Sequence, residues 1–229
     1  MSSRYAVYWA PPVASPLHRL GSQWLGRDAE AGTLLPQPLL SPLSADRFAA
    51  LTQDARGYAF HATLKPPLRL VPEATAEAFH AAVEAAARDT PGFTAPPLKV
   101  GRLSGFLALV PDGDQAPWRR LSNHFVTALD GFRTPPDELE LAKRRGNGLT
   151  PAQDANLLRW GYPYVFGDWR FHMTLSAALK SPEAERIEAA ALTHFSGLER
   201  QPVPVMEVCV FEQSQPGAPF LITARYPLG

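Results

Sequence analysis

Phe60-His61-Ala62-Thr63-Leu64 and Phe171-His172-Met173-Thr174-Leu175 are two copies of one pattern, aromatic–His–x–Thr–Leu, set 111 residues apart. In an extended chain, side chains at i and i+2 share a face. Tyr58, Phe60, Ala62 and Leu64 then make one apolar face, and His61 and Thr63 point to the other. The second copy repeats the arrangement: Trp169, Phe171, Met173 and Leu175 are apolar, while Arg170, His172 and Thr174 face away. A single His–Thr pair on a strand is commonly structural. The same imidazole–hydroxyl surface built twice in one chain points to chemistry.

The flanking sequence repeats as well. Tyr5 to Ala10 is aromatic and β-branched and reads as a first strand. Ser15-Pro16 caps a helix whose apolar residues are Leu17, Leu20, Trp24 and Leu25. Residues 26–43 are turn-rich, with Pro36, Pro38 and Pro42 breaking regular structure. Ser44 caps a short helix, Gly57 releases the chain into the first His strand, and Pro66-Pro67 are expected to end it. Phe79, Ala82, Val83 and Ala86 mark a helix over about 73–88, followed by a hairpin, 98–103 and 106–110, turning at Ser104-Gly105. After the second His strand, Ser181-Pro182 opens a helix with Ala184, Ile187, Ala191, Phe195 and Leu198 on its apolar face. Strands at 203–211 and 220–226 follow. The order His strand, helix, hairpin therefore occurs twice. It predicts one bilobal domain over 1–229, with the His strands near a pseudo-twofold axis and facing one another across a cleft. The intervening residues, about 111–168, read as a helical insertion. Trp118, Leu121 and Phe125 lie on one of its helices, and a capping box at Thr150–Gln153 starts another. Lys143-Arg144-Arg145 reads as a solvated face.

Composition narrows the function. The 229 residues are 45% hydrophobic and 19% charged, with 22 basic and 22 acidic side chains. That balance leaves no overall electrostatic footprint for long nucleic acid or an acidic membrane, while a small charged substrate can still be drawn by a local patch. Cys209 is the only cysteine, so an intrachain disulfide and a thiolate metal site are both excluded. No stretch reaches membrane-spanning length and the N-terminal apolar run is too short for a signal segment, so the expected location is the cytoplasm.

Two imidazoles across a cleft can supply a general base and a general acid together near neutral pH. Opening a cyclic phosphodiester is one reaction that needs both. One His deprotonates water, the other protonates the departing ribose oxygen, and the Thr hydroxyls donate to the non-bridging phosphate oxygens. Two imidazoles of unperturbed pKa near 6.5 would centre the activity close to neutrality. No cofactor and no metal is called for: the sequence has no H-E-x-x-H and no local cluster with ligand spacing.

These residues resemble the two-histidine (2H) phosphoesterase superfamily, which includes 2′,5′ RNA ligase-like proteins and cyclic nucleotide phosphodiesterases. The fuller stretches Phe60–Pro67, Gly105–Leu109, Trp160–Val165 and Phe171–Leu175 resemble a branch associated with phosphonate metabolism. The resemblance implies an α+β fold of two antiparallel-sheet lobes with outer helices and a central cleft. It places the catalytic residues at His61, Thr63, His172 and Thr174. Lys65, which follows on the face of His61, and Arg170, which precedes His172, are expected to meet phosphate. Tyr8 and Phe106 are candidate contacts to a sugar or base, whereas His18, His80, His124 and His194 are expected to be structural. The activity implied is metal-independent opening of a cyclic phosphate on a ribose-derived small molecule. The rivals are a 2′,3′-cyclic nucleotide or RNA-end phosphodiesterase or ligase, and a non-catalytic module binding a phosphorylated nucleotide.

Overall fold

Helix starts follow local chemistry. Ser15, Ser44, Thr75, Asp137 and Thr150 each accept a backbone N–H from the turn that follows, and a helix begins after each, satisfying donors that have no intrahelical partner. The computed structural model describes residues 3–146, 148–198 and 200–229. Its first half holds β1 (Arg4–Trp9), α1 (Pro16–Leu25), β2 (Arg27–Asp28), β3 (Thr33–Leu34), α2 (Ala45–Tyr58) and the first motif strand, β4 (Ala62–Leu68). Next come α3 (Ala76–Arg88), β5 (Phe93–Ala95), β6 (Leu98–Leu103) and β7 (Phe106–Pro111). The helices α4 (Ala116–Ala128), α5 (Glu138–Arg145) and α6 (Pro151–Trp160) precede the second motif strand, β8 (Met173–Ala178). The chain then forms α7 (Glu183–His194), β9 (Val203–Val205), β10 (Glu207–Gln213) and β11 (Leu221–Pro227).

The fold is α+β, with one large antiparallel sheet in the order β11-β10-β1-β4-β8-β7-β6. It consists of two lobes, β11-β10-β1-β4 and β8-β7-β6, whose ladders meet through a single residue pair, Ala62 opposite Met173. The two halves of the chain exchange elements. The hairpin β6–β7, which follows the first motif, lies beside the second motif strand, and β10–β11, which follows the second, lies on the side of the first. Helices exchange in the same way: α2 precedes β4 but packs on β8, and α4 precedes β8 but packs on β4. β5 and β9, at matching places in the two halves, pair with each other.

This exchange corrects the reading of residues 111–168 as a single insertion. α4 is the counterpart of α2, and its Trp118, Leu121 and Phe125 are at most 1% exposed in the main core. Only the stretch carrying α5 and α6 has no counterpart in the first half. α5, which covers Lys143-Arg144-Arg145, and the small β2–β3 hairpin are elements the sequence did not announce. The first His strand also differs from expectation. α2 runs to Tyr58, so Tyr58 sits on a helix end and not on the apolar face. β4 continues through Pro66-Pro67. Proline is tolerated there because β8 pairs with β4 only at Ala62, leaving the rest of that edge without a ladder to interrupt.

Strand β1 is buried on both faces. Tyr5, Val7, Trp9, Leu64, Phe171 and Leu175 belong to one contiguous cluster with Phe79, Val83, Trp118 and Phe125 from the helices. On the opposite face of β1, Ala6, Tyr8 and Ala10 pack with Cys209, Phe211 and Phe220. Burial pushes the Cys209 thiol up to about 12, so it behaves as a small apolar side chain. Among the described residues, no helix is long and apolar enough to cross a membrane. Because α4 is core, Phe125→Ala should cost about 3–5 kcal/mol in urea unfolding. Leu158→Ala on the exposed face of α6 should stay within about 0.5 kcal/mol of wild type.

Candidate active site

Each motif histidine sits one residue ahead of its strand, since β4 begins at Ala62 and β8 at Met173. Each is fixed in the same way. His61 Nδ1 lies 2.9 Å from the Ala59 carbonyl and His172 Nδ1 lies 2.9 Å from the Arg170 carbonyl. A carbonyl only accepts, so Nδ1 carries the proton in both rings, and in the neutral imidazole the lone pair is at Nε2. Ala59 adopts φ 66° and ψ −176° to close α2 and present that carbonyl, a conformation costly for any residue with a Cβ.

The junction of the lobes brings the two motifs together. Ala62 and Met173 are opposite and antiparallel, so the register runs His61 toward Thr174 and Thr63 toward His172. Ala62 and Met173 are fully buried beneath, which turns all four motif side chains to the other face. His61, Thr63, His172 and Thr174 line one cavity of about 340 Å³, together with Tyr8, Tyr58, Tyr162, Arg4 and Arg144. Thr63 Oγ1 is 3.3 Å from His61 Nε2. A cross-lobe bond reinforces the junction: Trp169 Nε1 donates to the Thr63 carbonyl at 2.9 Å.

Burial pushes His61 down to about 4, with the nearby His172 acting in the same direction and the bond to Ala59 opposing. Burial also lowers His172, opposed by its bond to the Arg170 carbonyl. Both rings are therefore neutral at neutral pH, and two unperturbed imidazoles near 6.5 are not what the structure holds.

The remaining candidates divide. Tyr8 stacks on His61, with ring centroids 3.8 Å apart and 20° between planes, and Phe106 meets His172 edge-on at 5.8 Å. Both hold an imidazole in place while lining the cleft. Arg170 lines a second branch of about 430 Å³, which shares Thr63, Tyr162 and His172 with the first. Lys65 does not reach the cleft. The β1–β4 register slips between Val7–Lys65 and Tyr8–Thr63, which breaks the strand alternation after Thr63. Lys65 is 1% exposed and donates to the Val126 carbonyl at 2.8 Å, with Asp130 at 3.4 Å. Burial lowers its ammonium to about 8 against the attraction of Asp130.

His18, His80, His124 and His194 are bonded elsewhere, to Asp28, the Tyr226 hydroxyl, the Ala86 carbonyl and the Leu20 carbonyl. The cleft also contains residues not singled out from the sequence. Tyr162 lies within the quoted Trp160–Val165 stretch and was open to view, whereas nothing local marks Arg4 or Tyr58. Among the described residues, no group of three or more His, Cys, Asp or Glu side chains is disposed to hold a metal ion.

NMR titration of the free protein should show His61 protonating near 4 and His172 below 6.5. Since unfolded His protonates near 6.5, stability should be full above 6.5 and fall as pH drops from 6.5 toward 4, where only the unfolded state binds the proton.

Comparison with known proteins identifies the family. Residues 63–221 match the family described as "Protein of unknown function (DUF1045)". Two curated relatives carry the name ribose 1,5-bisphosphate phosphokinase PhnN. The one from Janthinobacterium sp. (strain Marseille) is 37% identical over 229 residues, covering 98% of this chain and 51% of the relative. The one from Laribacter hongkongensis (strain HLHK9) is 39% identical over 220 residues, covering 95% and 50%. The chain thus spans about half the length of the curated relatives it matches. Among solved structures, E. coli LigT complexed with 3′-AMP aligns at 15% identity and TM-score 0.45, covering 100% of this chain and 99% of LigT. LigT complexed with NADP+ aligns at 17% and 0.43, covering 99% and 98%. With well over half of its length matched by one family, the chain belongs to DUF1045.

Proposed function

We propose that the protein is a 2H phosphodiesterase that opens a cyclic phosphate on a ribose-derived small molecule, using protons and hydrogen bonds alone. The observation that carries this reading is the matched tethering of the two rings. Each Nδ1 is held by a backbone carbonyl at 2.9 Å, and both rings line one shared cavity, with Thr63 Oγ1 3.3 Å from His61 Nε2. Of the two rings, His61 has its pKa lowered to about 4, which keeps its Nε2 unprotonated at neutral pH, and we assign it the role of base. Its Nε2 takes a proton from water as the water oxygen bonds to phosphorus. The ring phosphorus–oxygen bond breaks, and the departing ribose oxygen takes the proton from His172 Nε2. Thr63 and Thr174 donate to the non-bridging oxygens, where charge accumulates. An anionic phosphate between the rings favours the imidazolium form and so charges His172 when substrate is bound. Solvent then resets both rings. The product is a phosphomonoester. On a ribose already phosphorylated elsewhere it is a ribose bisphosphate, the compound class in the name of the half-matching relatives, which supports the link to phosphonate metabolism.

His61→Ala and His172→Ala should each lower kcat about 10²- to 10⁴-fold, and the double variant should lose less than the product, because the two act in one proton-transfer scheme. Thr63→Val and Thr174→Val should each cost up to about 10²- to 10³-fold. Turnover should persist in EDTA. A protein that binds cyclic phosphates but leaves them intact over hours would be a binding module, and a steep fall of affinity with salt would favour long RNA as ligand.

The pH profile follows from the two lowered imidazoles. For kcat/KM, which reads the free enzyme, the acid limb should fall near 4, as His61 gains a proton, and the maximum should lie below 6.5. For kcat the curve should move to higher pH, because the bound anion stabilises imidazolium. A kcat/KM optimum above 6.5 would remove His61 from the role of base.

A further inference from the structure

We propose that Arg4 and Arg144 form a second anion subsite, and that the substrate is a cyclic phosphodiester carrying a separate phosphomonoester clasped by these two guanidinium groups. The inference rests on the phosphodiesterase reading for the first phosphate but takes its evidence from different residues.

Half of the 18 arginines are committed elsewhere in the protein. Arg47, Arg69, Arg102, Arg133, Arg145, Arg159 and Arg225 each bridge a carboxylate, and Arg27 and Arg56 donate to backbone carbonyls. Arg4 and Arg144 have no carboxylate partner among the described residues, yet both line the 340 Å³ cavity with the two His–Thr pairs. Their heads are held on aromatic faces. The Arg144 guanidinium lies 4.9 Å from the centroid of Tyr162, and that of Arg4 lies 5.5 Å from Phe220. Arg4 Nε also donates to Gln213 Oε1 at 2.7 Å, leaving its terminal nitrogens uncommitted.

Such supported, half-buried guanidiniums keep their donors for a ligand, and their fork geometry matches phosphate oxygens. Arg145, the next residue on α5, shows the contrast, since it is exposed and closed on Asp154 at 2.7 Å. The balance of charge also selects this branch of the cleft. Here two cations face one carboxylate, the exposed Asp54, whereas in the other branch Arg170 shares its walls with Asp168. A diester at the histidines brings one negative charge. A phosphomonoester brings up to two more, which the arginine pair can meet.

The test compares ribose 1,2-cyclic phosphate with and without a 5-phosphate. Wild-type kcat/KM should favour the 5-phosphorylated compound by about 10- to 100-fold, the scale of charge-assisted hydrogen bonds. Arg144→Gln and Arg4→Gln should each collapse that ratio about 10-fold, Arg144→Lys should restore part of it, and Arg145→Gln should keep the wild-type ratio. No preference in the wild type, or equal losses on both compounds, would overturn the subsite. Calorimetric binding of ribose 5-phosphate reads the arginines without turnover. Arg144→Gln should weaken it about 10-fold, and an unchanged Kd would overturn the subsite. Absence of turnover with this binding intact would instead count against the phosphodiesterase reading.

Discussion

One backbone pairing decides whether the molecule has a site. The ladders of the two lobes meet only where Ala62 faces Met173, and those are the central residues of the two motifs. Antiparallel pairing at that point sets each histidine toward the threonine of the other copy. A slip of one residue on either strand would turn His and Thr into the core and the apolar residues into the cleft. The register is protected by what lies beneath it. Phe171 packs 4.4 Å from Trp118, Trp118 packs 4.9 Å from Trp9, and Trp169 ties its indole N–H to the Thr63 carbonyl. Exchange of α2 and α4 between lobes adds to this, since neither half can bury its motif strand without the other's helix.

The imidazoles are shaped by the same burial. Their Nδ1 atoms are committed to carbonyls two residues upstream, a bond the backbone can make only because the motif starts just before its strand. Tyr8 on one ring and Phe106 on the other limit rotation. The cost falls on proton affinity: a ring sealed against a tyrosine face resists charge, and a second ring nearby adds repulsion. In such a site, binding of an anion and charging of one imidazole would favour each other.

The stretch around α5 and α6 serves the cleft more than the core. It brings Arg144, Gln153, Tyr162 and Tyr164 to the walls, and it is anchored by the half-buried Asp130. Burial works against that carboxylate's charge, but Lys65, Arg133 and Arg159 hold it below the usual carboxylate range. Lys65 thus acts as a structural cation. In that place it fixes α4 and the following turn, which in turn sets where the wall begins.

The sequence by itself determined the motif pair, the amphipathic strands and helices beside it, the capped helix starts at Ser15, Ser44 and Thr150 and the repeated order of elements, because those follow from side-chain period and local hydrogen bonding. Phe60, Ala62 and Leu64, with Trp169, Phe171, Met173 and Leu175, are all buried as the alternation requires. Tertiary structure decided what depends on partners distant in the chain. The bulge that turns Lys65 away arises from pairing with β1. The place of α4 in the core arises from packing on β4, and continuation of β4 through two prolines arises from a neighbour that stops pairing. Arg4 and Arg144, 140 residues apart, share a cavity only because the sheet brings β1 beside the motif strand and α5 closes over it. No spacing in the sequence records that, since a side chain's periodicity reports the face it occupies and not what stands across from it.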